Sequence, residues 1–116
     1  MVILYLNNMY EVDIHSNKET VNDALYLLDL AIKEAKRDSD RILCLITGYG
    51  SRGGTHKIRT AILEKLEEYK QNNRIKAYIL GGDIDFGEKY VAFLKSAPKF
   101  YNVQKERNNG VIYIAL

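Results

Sequence analysis

The chain has 116 residues, which suits one domain that can bury a core without disulfides or a structural metal. Hydrophobic residues make up 47% and charged residues 28%, and this composition excludes a largely disordered chain. The formal net charge of +2 says little about partners, so the positions of the basic residues matter more. Cys44 is the only cysteine, which excludes an intramolecular disulfide and indicates a reducing compartment. We therefore expect a cytoplasmic protein.

Two strands are predicted at the start of the chain. Residues 2–6 predict a strand that is either a hairpin arm or an edge strand, residues 7–8 a turn, and residues 10–15 a second strand. The first stretch lacks the basic leader and cleavage site of a signal peptide. No apolar run approaches the ~20 residues that span a bilayer, so we expect no membrane partner.

Two amphipathic helices are predicted by apolar residues spaced three and four apart. The first begins at a capping box, with Thr20 as N-cap and Asp23 at the third helical position, and runs to about residue 37. The second begins near Thr55 and ends before residue 72. Between the helices, residues 42–47 are almost all apolar, which predicts a buried strand with Cys44 as a buried thiol.

The stretch after the second helix is less regular. Residues 75–80 predict a third core strand, which the glycine pair at residues 81–82 ends. Within residues 83–109, aromatic and apolar positions predict a short helix before Pro98, and residues 100–105 predict an edge strand. This stretch leaves the carboxyl edge of the sheet, so it either caps a site there or creates a partner surface.

A final strand is predicted over residues 111–116, after the turn signal Asn109-Gly110. The core order is therefore strand, helix, strand, helix, strand, strand. Short helical crossovers make the first three core strands parallel. Parallel strands bring their carboxyl ends to one edge, where ligand sites of open α/β sheets lie.

A possible acid–base pair lies at that edge. Asp13 and His15 are two residues apart at the end of a strand, so their side chains share a face. The carboxylate can orient the imidazole, and the imidazole can transfer a proton. The alternative is a polar strand end that caps the next loop.

The glycine-rich loop at residues 48–54 follows a strand and opens a helix. Its N–H groups can approach an anion closely, and the helix start offers unpaired donors. Basic residues in a first helical turn oppose the macrodipole by about 0.3–1 kcal/mol each, which is sensible if a phosphate is the partner. Tyr49 either stacks on a base or packs within the loop. The predicted anion site contains Gly48, Tyr49, Gly50, Arg52, Gly54, His56, Lys57 and Arg59. The alternative is a flexible turn with solvated basic residues.

Two other ligands fit parts of the pattern. Asp83 and Asp85, together with Asp13, could hold Mg²⁺ or Mn²⁺, or could belong to a loop with local side-chain-to-backbone hydrogen bonds. The spacing Gly48-x-Gly50-x-x-Gly53 matches the dinucleotide fingerprint, with Asp83 as the ribose-binding acid. Against a dinucleotide stand the short chain, the crowd of basic residues, and a third glycine expected before the helix rather than in its first turn.

Several short motifs, in order and in matching context, resemble the Smr domain, the small MutS-related domain. The match covers residues 12–116. Its parts are Val12-Asp13-Ile14-His15, which resembles the family's Leu-Asp-Leu-His, the helix start Thr20-Val21-Asn22-Asp23-Ala24-Leu25, Ile46-Thr47-Gly48-Tyr49-Gly50, which resembles His/Thr-Gly-x-Gly, then Gly54 with Lys57-Ile58-Arg59, and the closing strand Asn109-Gly110-Val111-Ile112-Tyr113-Ile114.

The resemblance implies one α+β domain over residues 1–116, with residues 1–9 as an extension and residues 83–109 as an insertion. It implies a two-layer βαβαββ fold, in which two helices cover one face of a mixed four-stranded sheet, as in the C-terminal domain of a bacterial translation initiation factor.

The resemblance also implies a nicking endonuclease that acts on DNA or RNA, with Asp13 and His15 catalytic and Thr47 in the phosphate-binding motif. The alternative is a non-catalytic nucleic-acid-binding module, as proposed for some members. Two departures bear on catalysis: Ser16 stands where the family has glycine, and Thr47 where many members have histidine. The polymer, any metal and the oligomeric state stay open.

Overall fold

The computed structural model describes residues 3–6, 9–14, 20–37, 42–48, 53–85, 87–103 and 106–116, with the backbone alone for residues 3–6 and 53–56. Its strands are β1 (Ile3–Leu6), β2 (Met9–Asp13), β3 (Ile42–Ile46), β4 (Ala77–Leu80) and β5 (Val111–Ala115). Its α-helices are α1 (Val21–Ala35), α2 (Gly53–Gln71) and α3 (Gly87–Ser96), and two short 3₁₀ helices span Gly81–Asp83 and Pro98–Asn102.

The strands form one mixed sheet in the order β1-β2-β3-β5-β4. β2 and β3 pair in parallel, and β5 runs antiparallel to β3 on one side and to β4 on the other. The predicted α+β fold and its four core strands are therefore confirmed, and β2, β3 and β4 run in one direction as expected. β1 pairs antiparallel with β2 and adds a fifth strand at the edge.

One face of the sheet packs against α1 and α2 through aliphatic side chains. The predicted capping box of α1 is confirmed, because the Thr20 hydroxyl accepts from the Asp23 N–H at 3.1 Å and the Asp23 carboxylate accepts from the Thr20 N–H at 3.3 Å. The buried residues of α1 recur at helical spacing along one stripe, which is why the apolar pattern predicted its orientation correctly. They are Ala24, Leu28, Ala31, Ile32 and Ala35.

The opposite face is covered by the stretch that was predicted as an insertion. α3 confirms the short helix expected before Pro98, and it packs Phe93 against Phe100 with ring centroids 4.9 Å apart. Phe100 in turn lies 4.8 Å from the ring of Tyr113 on β5. The two predicted helices on one face are present, and this aromatic layer on the other face is a third layer that the two-layer expectation omitted.

The edge strand predicted over residues 100–105 is wrong for the part that the structure describes, residues 100–103. Pro98–Asn102 form a 3₁₀ helix, and Val103 follows it with an extended backbone. The fixed φ of Pro98 suits the first position of a helical turn, and the turn carries Phe100 into the aromatic layer, where it is fully buried. Among the described residues, no helix is both long enough and apolar enough to cross a membrane.

Candidate functional site

Two strand ends meet at the predicted edge of the sheet. Asp13, the last residue of β2, lies in register with Ile46 on β3, and the N–H of Ile14 donates to the Ile46 carbonyl at 3.0 Å. The Asp13 side chain is exposed. The structure therefore brings Asp13 beside the residue that precedes Thr47, as the parallel arrangement predicted. His15, its expected partner, lies outside the described residues.

The two residues that follow β3, Thr47 and Gly48, are both held by hydrogen bonds to one carbonyl group. The Gly110 carbonyl accepts the N–H of Thr47 at 2.9 Å and that of Gly48 at 3.1 Å. Gly48 has φ of 77°, a left-handed conformation that favours glycine over any residue with a Cβ. Thr47 is fully buried, so its side chain supports the start of the loop from inside. Tyr49, Gly50 and Arg52 are outside the described residues.

Helix α2 begins at Gly53, two positions earlier than predicted, and has no acidic residue in its first turn. Gly54 and His56 therefore lie in that first turn, while the side chain of His56 is outside the described part of the chain. Lys57 comes after the first turn, so it opposes the macrodipole less than the sequence argument assumed. One objection to a dinucleotide is also wrong, because Gly53 is the first residue of the helix rather than a loop residue.

The two basic side chains described in this part of α2 have different surroundings. Lys57 is exposed, whereas Arg59 is half-buried. The Arg59 Nη1 donates to the backbone carbonyl of Asn109 at 3.2 Å. Arg59 therefore connects α2 to the segment before β5, and Lys57 is turned to solvent.

The carboxylates proposed as metal ligands are engaged elsewhere. The Asp83 Oδ2 lies 3.2 Å from the Lys89 Nζ, and the Asp85 Oδ1 lies 3.0 Å from the Arg107 Nε. Within the described ranges, no group of three or more acidic, histidine or cysteine side chains could hold a metal ion. The predicted three-carboxylate site with Asp13 is therefore not formed. The carboxylate of Asp83 was also suggested as a ribose ligand, and its ion pair with Lys89 counts against that role too.

The segment at residues 106–110 belongs to the site although the sequence marked it only as a turn. The Gly110 N–H donates to the Asn108 Oδ1 at 2.8 Å, which closes a local turn. The Glu106 N–H donates to the hydroxyl of Tyr113 at 2.7 Å, which fixes the other end of the segment. In the sequence, only the turn motif at residues 108–110 pointed to this segment. Such a motif predicts a bend in the chain but not which parts of the fold the bend contacts.

The glycine pair at residues 81–82 leaves room for that segment. A Cβ on Gly81 would overlap the carbonyl oxygens of Asn108 and Glu106, and a Cβ on Gly82 would overlap the side chain of Asn109. The pair was predicted as a strand breaker. The structure shows that it also allows the end of β4 to pack directly on the turn before β5.

Cys44 takes no part in the site. It is buried in the sheet opposite Tyr113, and burial, followed by the nearby charge of Glu11, raises the pKa of its thiol to about 12. Burial likewise raises the pKa of the Tyr113 hydroxyl. A thiol in this state is a poor nucleophile at neutral pH, so the prediction of a buried strand thiol is confirmed.

Comparison of the chain with protein-family models, with curated proteins and with solved structures gave no significant match.

Proposed function

We propose that this chain is an Smr-type nucleic-acid-binding domain that cleaves phosphodiester bonds of DNA or RNA. The observation that carries the proposal is the meeting, at one sheet edge, of the exposed Asp13 with the Thr47–Gly48 backbone that leads into α2. Its motifs, in the same order, support the family assignment. We place the protein in the cytoplasm, where Cys44 would stay a thiol.

Phosphate binding would use the positive end of α2 together with the glycine loop. The first turn of α2 contains no acidic residue, so no carboxylate of that turn offsets its N–H groups and partial positive charge. Lys57 is exposed and adds a positive charge one turn further on. Donors of this kind stabilise the charge that develops on a phosphoryl group during cleavage.

The acid–base work would fall to Asp13 and His15. An exposed carboxylate at a strand end can orient an imidazole two residues further along the chain. That imidazole would take the proton from the attacking water or hydroxyl group. Because Asp83 and Asp85 are held in ion pairs, the proposal assigns no metal to the described carboxylates.

A second candidate is a module that binds nucleic acid without cleaving it. The observation that favours it is that two of the three carboxylates expected at this edge, Asp83 and Asp85, are paired with Lys89 and Arg107. Both functions predict binding that weakens steeply with salt. Turnover alone separates them.

The test is a cleavage assay on supercoiled plasmid and on structured RNA, with Mg²⁺, with Mn²⁺ and with EDTA. We expect wild type to cleave one polymer, and Asp13→Asn and His15→Ala each to lower the rate by about 10²–10⁴-fold while oligonucleotide binding is retained. Glu11→Gln is the matched control, since it removes a carboxylate on the same strand away from the edge. Binding without cleavage by wild type would favour the second candidate, and saturable binding of NAD in its place would reject both.

A further inference from the structure

We propose that Arg59 is a positioning residue, which acts on the start of the glycine loop through residues 108–110, and is not a ligand of the phosphate. We call residues 108–110 the Asn109 turn. The role of Arg59 in the site rests on the proposed function, but the contacts that carry the inference do not.

The first contact is the hydrogen bond from Arg59 to the Asn109 turn. Its donor and acceptor are 50 residues apart in the chain, so it is a tertiary contact between α2 and the segment before β5. The acceptor is a backbone carbonyl, which makes the contact independent of the side chain at position 109. The bond directs the half-buried Arg59 side chain towards the Asn109 turn and commits one of its five N–H donors to that carbonyl.

The second contact carries the position of the Asn109 turn to the loop. The Gly110 carbonyl accepts both the Thr47 and the Gly48 N–H groups. These are the residues at which the chain leaves β3, and Gly48 has the left-handed φ that sets the direction of the loop. A shift of the turn therefore moves the backbone from which the predicted phosphate-binding glycines begin.

The Asn109 turn is held from its other sides by the rest of the fold. The Asn109 side chain rests on Gly82 at the end of β4, and Tyr113 on β5 holds the N–H of Glu106. Arg59 supplies the tie to α2. α2 and the Thr47–Gly48 backbone are thus connected to the same turn, α2 through the Asn109 carbonyl and Thr47–Gly48 through the Gly110 carbonyl.

Lys57 provides the matched control. It lies two residues before Arg59 on the same helix and is exposed. Arg59→Met and Lys57→Met each remove one positive charge and keep an unbranched side chain. Loss of a phosphate ligand and loss of a positioning residue have different effects on backbone exchange without nucleic acid and on the affinity for nucleic acid.

The first experiment measures amide hydrogen exchange by NMR without nucleic acid. Arg59→Met should accelerate exchange at Thr47 and Gly48 by about tenfold, as loss of one charge-assisted hydrogen bond would, and leave core amides such as Leu43 unchanged. Lys57→Met should leave all three unchanged. Unchanged exchange at Thr47 and Gly48 in Arg59→Met would overturn the proposal, as would equal acceleration at Leu43, which indicates general destabilisation.

The second experiment measures the affinity for a fluorescent DNA duplex and an RNA hairpin over a series of salt concentrations. Lys57→Met should lower the slope of log affinity against log salt by about 0.9 on duplex DNA, because one phosphate contact is lost. Arg59→Met should lower affinity with no change in slope. A loss of slope in Arg59→Met would make Arg59 a phosphate ligand and overturn the proposal while the proposed function stands.

The two failures can be told apart. If wild type binds neither polymer, the proposed function fails, and the exchange measurement still decides whether Arg59 positions Thr47 and Gly48. If wild type binds and Arg59→Met exchanges like wild type, the positioning role fails alone.

Discussion

The two faces of the sheet bury comparable layers by different means. The face under α1 and α2 is filled almost wholly by aliphatic side chains from helices of 15 and 19 residues. The face under α3 also buries small and aliphatic side chains, but its large side chains are three aromatic rings: Phe93 from a helix of 10 residues, Phe100 from a 3₁₀ helix of five, and Tyr113 from β5. Long helices carry a repeated stripe of medium-sized side chains, whereas short ones must contribute few and large side chains. The packing of the first face is therefore shared among many similar side chains, whereas that of the second depends more on individual rings.

That difference has a physical basis in helix length. An isolated helix as short as α3 is marginal in water, so its stability must come from packing. Phe93, Phe100 and Tyr113 supply that packing in tilted and edge-to-face arrangements, which are worth about 0.5–1.5 kcal/mol per pair beyond area burial. We expect the α3 face to fail locally when one ring is removed and the α1–α2 face to weaken as a whole.

The largest effect is expected from Phe100→Ala. Its ring is fully buried between Phe93 and Tyr113, so its loss should cost about 3–5 kcal/mol of unfolding free energy in urea denaturation. Exchange at the amides of α3 should rise more than at those of α1. Leu66→Ala on α2 is the control on the other face, and should raise exchange in both helices together. If the amides of α3 stayed protected from exchange in Phe100→Ala, the α3 face would not depend on this single ring.

A smaller effect is expected from the cap of α1. Thr20→Ala removes the hydroxyl that accepts the Asp23 N–H, and should cost about 1 kcal/mol by thermal or urea unfolding. Thr20→Ser keeps the acceptor and should restore most of this loss. If the alanine and serine variants were equally stable, local capping would contribute little to the α1–α2 face.

A matched pair of tyrosines compares the faces directly. Tyr113→Phe removes the acceptor of the Glu106 N–H and should cost about 0.5–1.5 kcal/mol. Tyr78→Phe removes a hydroxyl that donates to Glu67 at 3.3 Å nearer the surface, and should change stability by less than about 0.5 kcal/mol. Urea unfolding of both variants measures the difference. A larger loss in Tyr78→Phe would contradict the view that the α3 face depends on single groups.

A further small effect, and one that depends on pH, concerns an ion pair on the α1–α2 side. The hydrogen bonds from Lys33 and Arg74 hold the pKa of Asp29 below its ordinary value of 3.8. Because the folded-state pKa is lowered, the carboxylate contributes its full stabilisation above the ordinary pKa of 3.8. This contribution is lost as the pH falls through the folded-state pKa. Asp29→Asn should therefore be less stable than wild type by up to about 1 kcal/mol at neutral pH.

The same variant should converge on wild type as the pH falls through the lowered folded-state pKa of Asp29, because protonation then removes the charge of that carboxylate. Unfolding free energies at a series of pH values check this. Arg74→Met should reproduce the loss at neutral pH, since Arg74 lies 2.6 Å from Asp29 and links α1 to the connection between α2 and β4. A difference that grows on acidification would exclude the ion pair as its cause.

The same contrast explains what the sequence could predict of the fold. The capping box at Thr20 and the helical stripe of α1 are local patterns, and they predicted the start of the first helix correctly and its end to within two residues. The 3₁₀ helix at Pro98–Asn102 has one buried anchor, Phe100, and an isolated aromatic residue carries no period. A strand was predicted there because aromatic residues favour strands, and tertiary packing overrode that preference.

For the candidate site, the convergence of Asp13 with Thr47 was predictable because it follows from the parallel arrangement of two strands. The pairing of Asp83 with Lys89 and of Asp85 with Arg107 was not. Lys89 lies on α3, whose position depends on the aromatic layer, and Arg107 is 22 residues from Asp85 in the chain. The tie between Arg59 and Asn109 spans 50 residues and leaves no local pattern.

The central place of β5 has a consequence for the unfolding of the whole molecule. This strand lies between β3 and β4, and its alternate side chains enter both layers: Ile112 and Ile114 the aliphatic one, Val111, Tyr113 and Ala115 the aromatic one. Withdrawal of β5 would part β4 from the other strands and open both layers at once. Such a strand couples the two faces in global unfolding, although α3 can still open locally on its own face. Because β3 pairs with β5, which comes from the far end of the described chain, we expect closure of the sheet to be a late, long-range step in folding.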